Sequence, residues 1–385
     1  MLKMPLPNPS ARYSQALDAA AIFSDWHTAH RKEPPTQPHH ALIAYASCQL
    51  EADTSNPAAS RANQAWLLPA EKLAALEALL RGMQPANQAT APVVQSGALS
   101  PAHERALASL MGLVDATGKP PADGLIPWAA LEACLHKLEP AHPETGWAWI
   151  TPCHWAMGMG HATFTHPVHL PALNEADSRC LMEAMRPYWA EDGITLHYIT
   201  PHRWLAEGAI FQQLPTASLD QVMGQSVESW LPAGLPAVTS KIRRLQGEMQ
   251  MLLYTHPVND ARSEKRQLPI NSFWISGTGD LPISPAQASQ AAAIAATIEA
   301  PRSLAVAFQT GNTPAFAEAW QAIDTELIAR LLKTQGEGQP AQLTLCGLRK
   351  AQNYASRPEG LKSTIQGIFN NVFGVSATSH LHKQL

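Results

Sequence analysis

The sequence is short of charge. Only 15% of its 385 residues are Asp, Glu, Lys or Arg, against about 25% in an average soluble chain. The 27 Lys and Arg nearly balance the 31 Asp and Glu, leaving −4. No global field therefore draws the protein onto nucleic acid, and no nucleic-acid partner is expected. No run approaches the roughly 20 apolar residues of a membrane helix, so no membrane partner is expected either. Residues 1–17 carry Lys3 and several prolines but no apolar stretch, which reads as no signal peptide. Cysteine is scarce: Cys48, Cys134, Cys153, Cys180 and Cys346 are odd in number, scattered, and form no C-x-x-C pair. That argues against a disulfide framework or a structural zinc site and points to reduced thiols in the cytoplasm. Proline, at 32 residues, is plentiful, and 11 Trp outnumber 8 Phe and 6 Tyr. Proline-punctuated loops and tryptophan-anchored packing follow.

Hydrophobic residues make up 45% of the chain, enough for a sizeable core and, at this length, for two domains. Residues 1–38 look irregular; Ala41–Ala46 is an apolar run of buried-strand length. Pro69 opens a helix with Leu73, Leu76, Leu79 and Leu80 on one face, Gln84–Leu99 reads as a loop, and Ser100-Pro101 starts another helix. From Trp147 the texture changes. Strands are expected at Trp149-Ile150 and Ala162–Phe164, a helix from Asn174 to Trp189, a turn at Asp192-Gly193 and a strand over Ile194–Ile199. Beyond Lys241–Tyr254, a helix, the pattern predicts a strand at Asn271–Ile275 and a Ser284-Pro285 helix running to Ala300. A strand at Ser303–Phe308, a Thr313-Pro314 helix to Leu332, a strand at Gln342–Cys346 and a helix over Glu359–Phe369 complete it. The alternation predicts an α/β core with a largely parallel sheet. The expected division is an N-terminal part of the core over 1–146, an inserted α+β subdomain over 147–240, and the rest of the core over 241–385.

The chemistry concentrates in two places. His256-Pro257-Val258-Asn259-Asp260-Ala261-Arg262 is followed by Asn271-Ser272-Phe273-Trp274-Ile275-Ser276-Gly277-Thr278-Gly279, a turn rich in hydrogen-bonding groups and then a strand ending in Gly-x-Gly. Glycines at a strand end admit close backbone approach to a ligand, and nearby Arg, His and Lys can bind phosphate or carboxylate. The alternative is a solvated basic face and an ordinary tight turn. His154, His161, His166 and His169 form the second group, read as turn and surface histidines rather than a metal site. Ser47 and Cys48 stand at a strand end, but no base is spaced to activate either.

The run H-P-V-N-x-x-R…P-x-N-S-F-W-I-S-G-T-G resembles the archaeal-type, cofactor-independent phosphoglycerate mutases. It is more similar still to the RpfE-type regulatory proteins of proteobacteria. Gly124–Ala130, Pro152–Trp155, Leu214–Asp220, Ala319–Asp324 and Leu343–Gly347 follow in the family's order. The resemblance implies a doubly wound, alkaline-phosphatase-like core interrupted by an insertion. In active members two divalent metals are held by Asp and His at strand ends beside a Ser or Thr nucleophile, and they stabilise phosphoryl transfer. Here the corresponding segments read Ala46-Ser47-Cys48-Gln49-Leu50-Glu51, Gln309-Thr310-Gly311-Asn312 and Cys346-Gly347-Leu348-Arg349-Lys350, without the ligands. His202-Arg203-Trp204 resembles an anion-facing pair of the inserted domain, Arg203 equally reading as a snorkelling cation beside a packed Trp204. Asp324 matches a position whose role looks structural.

The resulting expectation is a non-catalytic protein without metal or cofactor, whose partner is a small anionic metabolite or another protein. The ligand residues expected are His256, Asn259, Arg262, Asn271, Gly277 and Gly279, with Arg203 and Arg349 further out. An active phosphoryl-transfer enzyme with a rebuilt site is the alternative. A purely structural interaction protein is the third reading, favoured if tryptophans fill the region.

Overall fold

The computed structural model describes residues 39–48, 65–69, 72–86, 97–115, 117–140, 145–158, 160–167 and 173–357. The expected helix over Glu359–Phe369 lies outside them. In chain order the elements are β1 (His40–Ser47), α1 (Ala74–Arg81), β2 (Met83–Ala86), α2 (Ala102–Leu110), α3 (Trp128–Leu135), β3 (Gly146–Cys153), β4 (Trp155–Met157) and β5 (Ala162–Phe164). Then come α4 (Glu175–Glu191), β6 (Thr195–Thr200), β7 (Arg203–Gly208), α5 (Pro236–Tyr254), α6 (Pro257–Glu264), β8 (Ser272–Gly279), α7 (Pro285–Ala296) and β9 (Ile298–Glu299). Last are α8 (Ser303–Gln309), α9 (Thr313–Ile323), α10 (Ala329–Gly336), β10 (Gln342–Gly347) and β11 (Ala351–Ser356). No helix among the described residues is long and apolar enough to cross a membrane.

The described residues divide into two compact units, one containing those within 97–100 and 114–289, the other those within 39–86, 101–113 and 290–357. The subdomain expected over 147–240 falls inside the first unit, which extends past it to take in α5, α6 and β8. The fold is mixed α/β, but the expected largely parallel sheet is corrected. The first unit's sheet, in the order β6-β7-β3-β8, is antiparallel throughout. The second unit's sheet, β2-β11-β10-β1-β9, is parallel only where β1 meets β10 and β9.

In the first unit, strand alternation separates two faces. Ala148, Ile150, Leu196, Trp204, Ala206, Phe273 and Ile275 point one way and form a buried core with Leu181, Met185 and Trp189 of α4 and Ile242, Leu245, Met249 and Leu253 of α5. Asn174 caps α4 by accepting from the Asp177 N–H at 2.8 Å, as its sequence signature implies. On the other face Trp147 and Leu205 pack with Ala129, Ala130 and Ala133 of α3, whose small side chains admit the large rings. On edge strand β6 one carbonyl is occupied: Arg186 Nη1 donates to Leu196 O at 2.9 Å while its other nitrogens hold Glu183. Arg179 lies over the Tyr198 ring at 3.7 Å.

In the second unit β1 is buried along its whole length, as expected of a strand flanked on both sides and covered by helices. Helices α8 and α9 bring Phe308 and Phe316 edge-on to Trp66, and Trp320 Nε1 donates to Ala46 O at 3.2 Å. The expected strand at Ser303–Phe308 is instead α8, and the preceding helix stops at Ala296, leaving the two-residue β9 as the parallel neighbour. The five-residue apolar run Leu304–Phe308 does not distinguish a buried strand from a buried helix, and Leu304–Ala307 are buried on all sides. The helix expected from Thr313 to Leu332 is one axis interrupted by a π segment, Asp324–Ile328. Its first residue turns inward, and the Asp324 carboxylate accepts from Leu76 N at 2.8 Å and Ala75 N at 3.2 Å. It caps α1, whose own N-cap Leu73 has no side-chain acceptor.

Two stability predictions follow from these contacts. Asp324→Ala should cost about 1–2 kcal/mol in chemical denaturation and Asp324→Asn less, because the amide oxygen still accepts. Buried His40 bonds Thr344 Oγ1 through Nε2 at 2.8 Å, and burial lowers its pKa from 6.5 to about 4. The unfolded chain therefore takes up this proton first as pH falls. The stability is fully present above about pH 6.5 and is lost progressively toward pH 4, by about 3 kcal/mol. A His40→Gln variant should show a flatter stability-versus-pH curve over that window.

Candidate functional site

The residues singled out around His256 do come together, and most of their polar atoms serve the chain itself. His256 is the N-cap of α6, its Nδ1 accepting from Val258 N at 3.2 Å. Asn259 Nδ2 donates to Leu253 O and Ile270 O at 2.8 and 2.7 Å, while its Oδ1 accepts from Ile270 N at 2.8 Å. Both amide protons are used, leaving Asn259 no donor for a ligand. Arg262 Nε donates to Leu268 O at 2.8 Å. Burial lowers the pKa of His256, with Asp260 opposing, and that of Arg262, with Asp177 opposing. Asn271 reaches sideways to Trp155, accepting its N–H at 2.7 Å and donating to its O at 2.9 Å. Together these bonds tie α5, α6, β4 and β8 into one corner.

The Gly-x-Gly turn is a β-bulge. Trp147 pairs with Gly279 but Trp149 pairs with Ser276, so β8 carries one residue more than β3 between them. Gly277 has φ 63° and Gly279 φ 130°, conformations that favour glycine. A Cβ on Gly277 would stand 3.0 Å from Trp149 and 3.2 Å from Trp128; on Gly279 it would stand 3.0 Å from Leu125 O. The close approach these glycines permit is to the protein's own tryptophans and backbone. Beside them Arg203 is buried rather than snorkelling: its Nη2 lies 2.9 Å from Glu132 Oε1, both side chains under 8% exposed. Glu132 also accepts from Trp149 Nε1 at 2.5 Å, and the Arg203 guanidinium lies over the Trp149 ring at 5.3 Å. Arg203 Nε and Ser276 Oγ are buried without hydrogen-bond partners. Trp204 packs in the core as expected.

Arg349 belongs to the second unit, in the tight turn joining β10 to β11, where Gly347 N donates to Lys350 O at 2.9 Å. Ser47 is the register partner of Gly347 across the parallel pair. Just before it β1 is irregular, and Tyr45 has φ 58°, a left-handed conformation that costs an aromatic residue strain. The Tyr45 ring meets Phe308 at 5.4 Å and His103 at 5.6 Å. Burial pushes the Cys48 and Cys346 thiols well up, so both stay protonated and poorly nucleophilic. Sequence reasoning missed Arg105 of α2, whose Nη2 donates to Arg349 O at 2.9 Å. Its partner lies more than two hundred residues away, so no local pattern announces it. Gln309–Asn312, expected to follow a strand, instead begins on the last residue of α8.

Among the described residues no group of three or more His, Cys, Asp or Glu is placed to hold a metal ion. His154 Nδ1 donates to Pro269 O at 2.9 Å, and the His161 ring lies over Gly158; His169 lies outside the described residues.

No family model and no curated protein matches the chain. Solved structures similar to it include the following two. The PH0037 protein from Pyrococcus horikoshii is 11% identical over 85% of this chain and 89% of that one, with a TM-score of 0.40. A cofactor-independent phosphoglycerate mutase from Thermoplasma acidophilum DSM 1728 is 12% identical over 85% of this chain and 91% of its own, with a TM-score of 0.31.

Gly277→Ala should lower stability by about 1–3 kcal/mol, through the unfavourable φ and the crowding against Trp149 and Trp128. Gly160, at φ 84° with open space around it, provides the comparison: Gly160→Ala should lose less in the same thermal melt.

Proposed function

We propose that the chain is a non-catalytic, phosphoglycerate-mutase-like protein of the RpfE type, with an alkaline-phosphatase-like core and a role in binding or regulation. Its partner on this reading is a small phosphorylated or carboxylated metabolite or another protein. The observation that carries the reading is the chemistry at the ends of β1 and β10. Where the mutases it resembles place Asp and His, this chain has Ser47 and Cys48, then Cys346 and Gly347 with Arg349 and Lys350 beyond. Protonated buried thiols are poor metal ligands, and adjacent cations repel a divalent ion. A reducing, cytoplasmic setting suits the buried thiols of Cys48, Cys153 and Cys346. The reading as a structural interaction protein draws its support from Trp149 and Trp128 closing against Gly277.

The test is conversion of 3-phosphoglycerate to 2-phosphoglycerate, coupled to enolase, with Mn²⁺ supplied and again with chelator. No turnover above background is expected in either case at high protein concentration. Chelator-sensitive turnover would show that ligands had been rebuilt elsewhere, and would end the non-catalytic reading.

A further inference from the structure

We propose that Arg105, Arg349 and Lys350 form a subsite for a phosphate- or carboxylate-bearing small metabolite at the C-terminal ends of β1 and β10. The subsite rests on the metabolite-binding reading above and gives it a place. Parallel strands β1 and β10 lie side by side in the second unit and end together at Ser47 and Gly347, while the short parallel β9, on the other side of β1, pairs only with its first residues, His40 and Ala41. The chain visits the outer two in succession, crossing over the middle one. Ligands of α/β sheets gather outside such strand ends, where connections diverge and backbone polar groups are left available.

Two segments bring positive charge to that edge. The tight turn after β10, closed by the Gly347 N–H on Lys350 O, carries Arg349 and Lys350. Helix α2 packs its first turns there, with His103 against Tyr45 and Arg105 bonded to Arg349 O. The Arg105 charge also reaches the buried Cys346 thiol, where it opposes the upward push of burial. Arg105, Arg349 and Lys350 are each half-buried, an environment that strengthens attraction to an anion relative to open solvent. Glu104, beside Arg105 on α2, is the neighbouring acid, and the three cations outnumber it. The four side chains all have interactions within the chain, so binding exchanges partners rather than meeting bare charge. Ser47, the register partner of Gly347, supplies a neutral hydroxyl at the same edge. Two guanidinium forks and an ammonium match the oxygens of phosphate and carboxylate. In a chain of net −4, this concentration of positive charge is local and does not follow from composition.

The experiment is titration calorimetry on the full chain, with 3-phosphoglycerate and with inorganic phosphate as probes. The variants are the double replacement Arg349→Ala/Lys350→Ala and, as a control in the other unit, Lys265→Ala. Both changes fall in exposed or half-exposed turns, and thermal melts establish that the variants remain folded. The double variant should bind at least about tenfold more weakly, as expected from losing charge-assisted hydrogen bonds. Lys265→Ala should bind as the unaltered chain does, and affinity should fall with added salt. Unchanged affinity in the double variant would overturn the subsite while leaving metabolite binding in place. Binding of neither probe by the unaltered chain would overturn both the subsite and the metabolite reading, leaving the interaction-protein reading.

Discussion

The Glu132 carboxylate is the group on which the polar face of the first unit's sheet depends. It arrives on α3, a helix otherwise rich in alanine on its buried side, and receives Trp149 and Arg203 from neighbouring strands. A guanidinium this deeply buried is costly unless a carboxylate meets it, and removing one partner of such a pair costs about 3–5 kcal/mol. The pair also sets the position of the Trp149 ring, and that ring closes against Gly277. The bulge in β8 and the left-handed glycine within it therefore belong to the same arrangement as the ion pair. What resembles a ligand-cradling turn in one dimension is a place where the backbone yields to a tryptophan held from behind.

The two units solve their packing differently. The first uses an antiparallel sheet with one apolar face under α4 and α5, so its strands alternate cleanly and its polar residues are confined to the opposite face. The second buries both sides of β1 and relies on tryptophan and phenylalanine edges from α8 and α9. In the first unit, the polar side chains of Asn259, Asn271, Arg203 and Glu132 are spent on bonds within the fold.

Local signals were legible wherever the governing contact was itself local. Asn174 and Ser284 announce helices α4 and α7 because the cap partner lies three residues on, and Asp192-Gly193 marks the turn into β6. His256-Pro257 carries the same start signal as Ser284-Pro285, and its capping role was open to the same reasoning. The errors came where distant contacts decide. Within Ser303–Gln309, burial of Leu304–Ala307 on all sides leaves no period that separates helix from strand, and β11 pairs antiparallel with β10 in a sheet expected to be largely parallel. Asn271 looked like a ligand donor because its acceptor, Trp155, is 116 residues away. For candidate sites this is the general hazard: a polar side chain with a remote partner in the fold is, in sequence, indistinguishable from one awaiting a ligand.

Edge strand β6 carries a guard of a particular kind. Arg186 occupies the Leu196 carbonyl and is itself held by Glu183, whose pKa its hydrogen bonds lower. A guanidinium does not lose its proton over the range in which proteins are handled, and a carboxylate held this way stays ionised further into acid than a free one. The exposed edge of a sheet is a template for joining neighbouring molecules into extended β-structure. Here one carbonyl of the template, Leu196 O, is occupied by a device that mild acid leaves in place, so intermolecular strand pairing through that carbonyl of β6 has to displace an arginine as well as find a partner.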